Sequence, residues 1–167
     1  RGRVERLQLK NNAFGMIGAA ALFAEPRPVV INPAWPRLTN LLLRGTPIGP
    51  DGYPQLCGAI TAKHMPQLQT LHLENTGMGD IGARLVFSAL GCLPTLSLLN
   101  LSLNPFGEEG LAPLQHKPMA RTHLVVAGLK ELHMLAMPGM NKKAWQFLGR
   151  TAVLITQAAV LPSQPLC

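Results

Sequence analysis

Aromatic side chains make up only 5% of the 167 residues. A core built on rings is therefore excluded, and burial must come mainly from Leu, Ala, Val and Met. Acidic residues are scarce too: 8 Asp and Glu stand against 15 Lys and Arg, a formal net charge of +7. Cysteine is rare and odd in number, with Cys57, Cys92 and Cys167 scattered and no C-x-x-C pair. That rules out a self-contained disulfide framework and leads to the expectation of an intracellular compartment, cytoplasmic or organellar with the mitochondrion included. No uncharged apolar run approaches the roughly 18 residues of a membrane-spanning helix, so membrane insertion is not expected.

The signatures of catalysis are also missing. There is no G-x-x-x-x-G-K-[ST], no G-x-S-x-G, no H-E-x-x-H and no H-x-E followed by P-C-x-x-C. Gly45 to Gly52 is glycine-rich but lacks the phosphate-binding lysine. Cys92, between Gly91 and Leu93, reads as a small buried residue. Glu108 and Glu109 read as acids at a helix start, where the dipole favours them. The chain is not expected to be an enzyme, and neither a cofactor nor a small-molecule substrate is expected.

What is present is a repeat. Four stretches, Val4 to Gly18, Leu38 to Gly52, Leu68 to Gly82 and Leu96 to Gly110, share the pattern L-x-x-L-x-L-x-x-[NT]-x-[FIM]-G-x-x-G, with Val in the first place of the first copy. The fourth and sixth positions (Leu7, Leu9; Leu41, Leu43; Leu71, Leu73; Leu99, Leu101) alternate as a short strand requires. The ninth (Asn12, Thr46, Thr76, Asn104) carries a short polar side chain able to bond backbone where the chain turns. The eleventh (Phe14, Ile48, Met78, Phe106) fills the core behind the turn. Helical spacing follows the second glycine, with Ile81, Leu85, Ala89 and Leu90 expected on one buried face and Pro54 in a first turn. Pro113 shortens whatever helix follows Gly110.

A fifth unit from Leu129 keeps Leu132 and Met134, but Met137 replaces the Asn or Thr; Ala144 to Leu148 is its expected helix. The starts near 4, 38, 68, 96 and 129 are thus spaced 34, 30, 28 and 33 residues apart. One domain over 1–167 is expected, with an irregular spacer at 115–128 and a C-terminal cap or tail at 150–167. The first strand begins almost at residue 1 with no capping segment visible before it, so a fragment, a processed chain or the ordered part of a longer one is expected.

The signature and spacing, carried best by Leu68 to Pro94, resemble the ribonuclease-inhibitor-like class of leucine-rich repeats. The resemblance implies an α/β solenoid of about five repeats, curved, with parallel strands on the concave side and helices on the convex side. It further implies a non-catalytic protein-binding role. The expected function is a protein–protein interaction scaffold, a structural or adaptor subunit docking other protein subunits of a larger assembly.

Two surfaces are candidates for contact. Strand positions two, three, five, seven and eight face away from the core. Among them Leu42, Arg44, His72, Glu74, Leu98, Asn100, Leu103 and His133 form the candidate protein-binding set, with Leu42, Leu98 and Leu103 as apolar anchors. His72 and His133 fall in one column, but a strand lies between them, so they stand roughly 10 Å apart, too far for one metal ion. The second surface is basic. Residues 111–167 carry six Lys and Arg against one acid, Glu131. Lys117, Arg121, Lys142, Lys143 and Arg150 there are candidates for an acidic surface or RNA. The alternative function is accordingly an RNA-contacting accessory subunit of a ribonucleoprotein such as an organellar ribosome.

Overall fold

The computed structural model describes residues 2–13, 15–23, 35–115 and 128–148. Phe14, the spacer over 116–127 and the tail from 149 onward, with Lys117, Arg121, Arg150, His116, His123 and Cys167, lie outside the described residues. Five short strands form one sheet: β1 (Arg6–Gln8), β2 (Asn40–Leu42), β3 (Thr70–His72), β4 (Leu98–Asn100) and β5 (Glu131–His133). They run in chain order and every neighbouring pair is parallel, with Leu7, Leu41, Leu71, Leu99 and Leu132 in one row. The helices that follow are α1 (Gly15–Phe23), α2 (Gly49–Thr61), α3 (Asp80–Ala89), a four-residue α4 (Ala112–Gln115), and α5 over 142–148. Each rung is therefore a strand, a turn and a return segment, and the repeat is an α/β solenoid as the signature implies.

The core is a stack of aliphatic layers. Leu41, Leu43, Leu71, Leu73, Leu99 and Leu101 are fully buried, backed by Ile48, Met78 and Phe106 from the eleventh position. Leu7 in β1, Leu9 just after it and Leu132 in β5 are only half-buried, because among the described residues an end rung packs against one neighbour instead of two. Phe87 of α3 meets Phe106 of the next rung edge-to-face, ring centroids 6.1 Å apart. With so few rings in the chain, this pair is a local reinforcement rather than the basis of the core.

The turn out of each strand has one conformation in every rung. Asn11, Gly45, Asn75, Leu103 and Ala136, all at the eighth position, have φ of 55°, 67°, 51°, 61° and 51°. Asparagine and glycine tolerate this left-handed region, whereas a branched, bulky side chain does not. Leu103 is 46% exposed, so little packing compensates it. Leu103→Asn is expected to raise stability by about 1 kcal/mol. Urea unfolding checks it: an unchanged or lower midpoint would show that Leu103 is held by contacts.

At the ninth position the side chains lace consecutive rungs together. Thr46 Oγ1 donates to Leu9 O and accepts from Asn12 N at 3.3 Å. Thr76 Oγ1 donates to Leu73 O at 2.8 Å. Asn104 does most: Nδ2 donates to Leu73 O at 2.7 Å and Leu101 O at 2.9 Å, while Oδ1 accepts from Thr76 N at 3.1 Å and Met78 N at 3.0 Å. From the helix side Tyr53 lies with its hydroxyl 2.7 Å from Thr76 Oγ1, and burial pushes that phenol far above its ordinary pKa. Cys57, on the same helix, is a buried free thiol whose pKa burial pushes up to about 12, which keeps the reactive thiolate unpopulated at neutral pH.

Two sequence expectations need correction, and the irregular fifth rung gains a physical account. The buried residues of α3 are Ala83, Val86, Phe87 and Ala89, with Leu90 buried just after it; Ala89 and Leu90 are thus buried as expected, whereas Ile81 is 64% exposed and Leu85 half-buried. The helix is rotated because Gly82, not Ile81, meets the neighbouring rung; a Cβ on Gly82 would fall 2.9 Å from the Tyr53 ring. Pro54 lies inside α2 rather than in its first turn, since the helix begins at Gly49 and Pro50 occupies the start. The fifth rung docks through a glycine one residue early: a Cβ on Gly139 would lie 2.6 Å from the carbonyl oxygens of Pro105 and Phe106. The segment after Gly110 is, as Pro113 requires, one 3-10 turn (Glu109–Leu111) running into α4.

Candidate functional site: the concave face

Because every rung pairs in register, equivalent positions form columns across the sheet. The fifth position aligns Gln8, Leu42, His72, Asn100 and His133. The third aligns Arg6, Asn40, Thr70, Leu98 and Glu131. At the seventh position stand Lys10, Arg44, Glu74, Ser102 and Leu135, and the backbone bonds Gly45 N to Glu74 O, Asn75 N to Ser102 O and Leu103 N to Leu135 O keep that register.

The middle of this face is a bonded polar floor. Glu74 Oε1 accepts from Asn100 Nδ2 at 2.8 Å and lies 2.8 Å from His72 Nδ1. Asn100 Oδ1 accepts from Ser102 N at 3.1 Å, and Ser102 Oγ accepts from Leu135 N at 2.9 Å. The chain of bonds thus runs from β3 through β4 to the residue after β5. Glu74 and Ser102 are each only 6% exposed. The seventh positions face away from the core as expected, but in the third and fourth rungs the flanking side chains close over Glu74 and Ser102. Glu74 Oε2 is buried and has no hydrogen-bond partner among the described residues. On β5, His133 Nε2 lies 3.1 Å from Glu131 Oε2, both side chains well exposed.

Around this floor stand the side chains open to a partner. Arg6, Lys10 and Arg44 are exposed on the first two rungs. Leu103 is 46% and Leu135 71% exposed on the last two, and they neighbour each other through the Leu103 N to Leu135 O bond. Leu42 and Leu98 are half-buried rather than open. The structure therefore brings all eight candidate protein-binding residues onto one sheet face, with Glu74 and Asn100 serving inside the floor. Lys10 and Leu135 were missing from that set, although their shared repeat position with Arg44 carried the signal.

The second candidate surface is only partly described. Lys142 and Lys143 are exposed at the start of α5, and Lys143 Nζ lies 3.2 Å from Glu108 Oε1. The convex side also exposes Ile17 at 82% and Trp145 at 42%. Among the described residues no group of three or more His, Cys, Asp or Glu could hold a metal ion, and no helix is long and apolar enough to cross a membrane.

Three-residue parallel strands on one side, helices on the other and a laced Asn/Thr turn are the arrangement of a leucine-rich-repeat solenoid, similar to the ribonuclease-inhibitor-like type. The comparisons agree. A family model described as leucine-rich repeat matches residues 92–114. The ribonuclease inhibitor of Sus scrofa is 36% identical over 76 residues, which is 46% of this chain and 16% of the inhibitor. The match thus spans a small part of that relative's length. Leucine-rich-repeat domains generally mediate protein–protein interaction.

Proposed function

We propose that the protein is a non-catalytic docking module that holds other protein subunits on its concave face, as a structural or adaptor part of an assembly. One observation carries this reading. The face combines a rigid hydrogen-bonded floor, Glu74–Asn100–Ser102, with exposed charged and apolar side chains at its rim. A preorganised floor lowers the ordering cost of association, and a mixed rim supplies both anchoring area and orientation. The porcine relative is by its name an inhibitor of ribonuclease, itself a protein, which supports a protein as occupant.

The test is a substitution in the middle of the face. Leu98 sits between Thr70 and Glu131 in register. A lysine there is opposite an acid, so Leu98→Lys is expected to leave the melt nearly unchanged. Association with subunits found by crosslinking mass spectrometry of the native protein is expected to weaken by more than about 2 kcal/mol. Unchanged association with an unchanged melt would move the docking surface to the convex helices.

A further inference from the structure

The concave face is polarised along the solenoid. Arg6, Lys10 and Arg44 crowd its first two rungs, all exposed, and none forms an ion pair among the described residues. Gln8 pairs with Leu42, and Asn11 N donates to Arg44 O at 2.8 Å. Lys10 and Arg44 therefore stand on neighbouring strands at the same repeat position, about 4.8 Å apart along the sheet. Like charges directly opposite each other destabilise a sheet. The next acid in that row, Glu74, does not relieve them: its Oε1 is taken by His72 and Asn100 and its Oε2 is closed off from solvent. Glu5, exposed on β1's approach, forms no ion pair either. Among the described residues, no side chain pairs with this cationic corner.

We propose that the Lys10–Arg44 corner, with Arg6 four residues back in β1, binds an acidic segment of a partner protein, a short run of Asp or Glu. The proposal rests on the concave docking reading above and names the partner's chemistry. The Arg44 guanidinium presents a fork that matches a carboxylate, and Lys10 adds a second cation within reach of a neighbouring acid. Nucleic acid fits less well. A phosphate strand needs a basic track along its length, and here the outward positions of the third and fourth rungs carry no Lys or Arg, presenting Glu74, Leu98 and Leu103 instead, while exposed Lys130 on the fifth rung stands next to Glu131. That sequence of surfaces suits a peptide whose acids are followed by apolar residues.

The experiment uses the full chain and a labelled oligo-glutamate peptide, read by fluorescence anisotropy at low salt, with oligouridylate of equal charge as comparison. The peptide is expected to bind, to weaken as salt rises, and to weaken about tenfold in Lys10→Glu/Arg44→Glu with an unchanged melt. Carbodiimide crosslinks are expected at Lys10. If the double reversal fails to fold, Lys10→Gln/Arg44→Gln serves, with a loss of about threefold. Peptide binding insensitive to these changes, crosslinks confined to Lys142 or Lys143, or tighter oligouridylate binding with the same sensitivity would each overturn the proposal. The two readings separate cleanly. If Leu98→Lys weakens native association and the Lys10/Arg44 variants do not, the concave face still docks a partner but not through an acidic segment.

Discussion

Asn104→Ala is expected to cost about 3–5 kcal/mol of folding stability, the largest effect of any single substitution considered for this chain. The side chain is fully buried between the third and fourth rungs. Its Nδ2 satisfies Leu73 O and Leu101 O, and its Oδ1 satisfies the backbone N–H groups of Thr76 and Met78. Alanine would leave the N–H groups of Thr76 and Met78 and the carbonyl of Leu101 buried with no partner, while Leu73 O would keep only the Thr76 hydroxyl. Each such orphan costs about 1–3 kcal/mol, partly relieved by backbone shifts. Asn104→Thr is expected to cost less than half as much, because Thr46 and Thr76 serve the same position in the preceding rungs with one hydroxyl. Urea unfolding of the two variants decides it. Equal losses would show that the volume of the side chain matters and its hydrogen bonds do not.

Leu71→Ala is expected to cost about 2–5 kcal/mol. Leu71 is fully buried in the middle strand, in register with Leu41 on one side and Leu99 on the other. A solenoid rung contacts only its neighbours, but both neighbours here are rigid, so the space left by the missing carbons cannot collapse. Leu7→Ala offers the internal comparison, since β1 has a single neighbouring strand and Leu7 is already half-buried. It is expected to cost well under half as much. Thermal melts of both variants check the pair, and similar shifts for the two would mean that the rungs are not stacked as the register requires.

The columns of the concave face were legible in the residues themselves. Once Leu41, Leu71 and Leu99 are aligned, their neighbours at fixed offsets must align too, so the placing of His72 and His133 on either side of Asn100 follows from counting. The role of Asn104 and Thr46 as turn side chains was legible for the same reason. The rotation of α3 was not. Ile81 and Leu85 satisfy helical spacing with buried Ala89 as well as Ala83, Val86 and Phe87 do with Leu90, and hydropathy alone prefers isoleucine to alanine. What selected the second face was the close approach at Gly82, which only the neighbouring Tyr53 ring reveals.

The sequence by itself determined the repeat, and with it the number of rungs, the parallel strands, the aliphatic core and the direction every side chain leaves the sheet. It could do so because a solenoid is local: each rung meets only the next, and a short signature repeated in register carries the whole topology. Only the tertiary structure decided how exposed the concave residues are. Glu74 and Arg44 hold the same repeat position, yet the first is closed into a network with His72 and Asn100 while the second stands free in the cationic corner. That difference depends on which side chains the adjoining strands bring within about 3 Å. It belongs to pairs across rungs and is written in no single repeat.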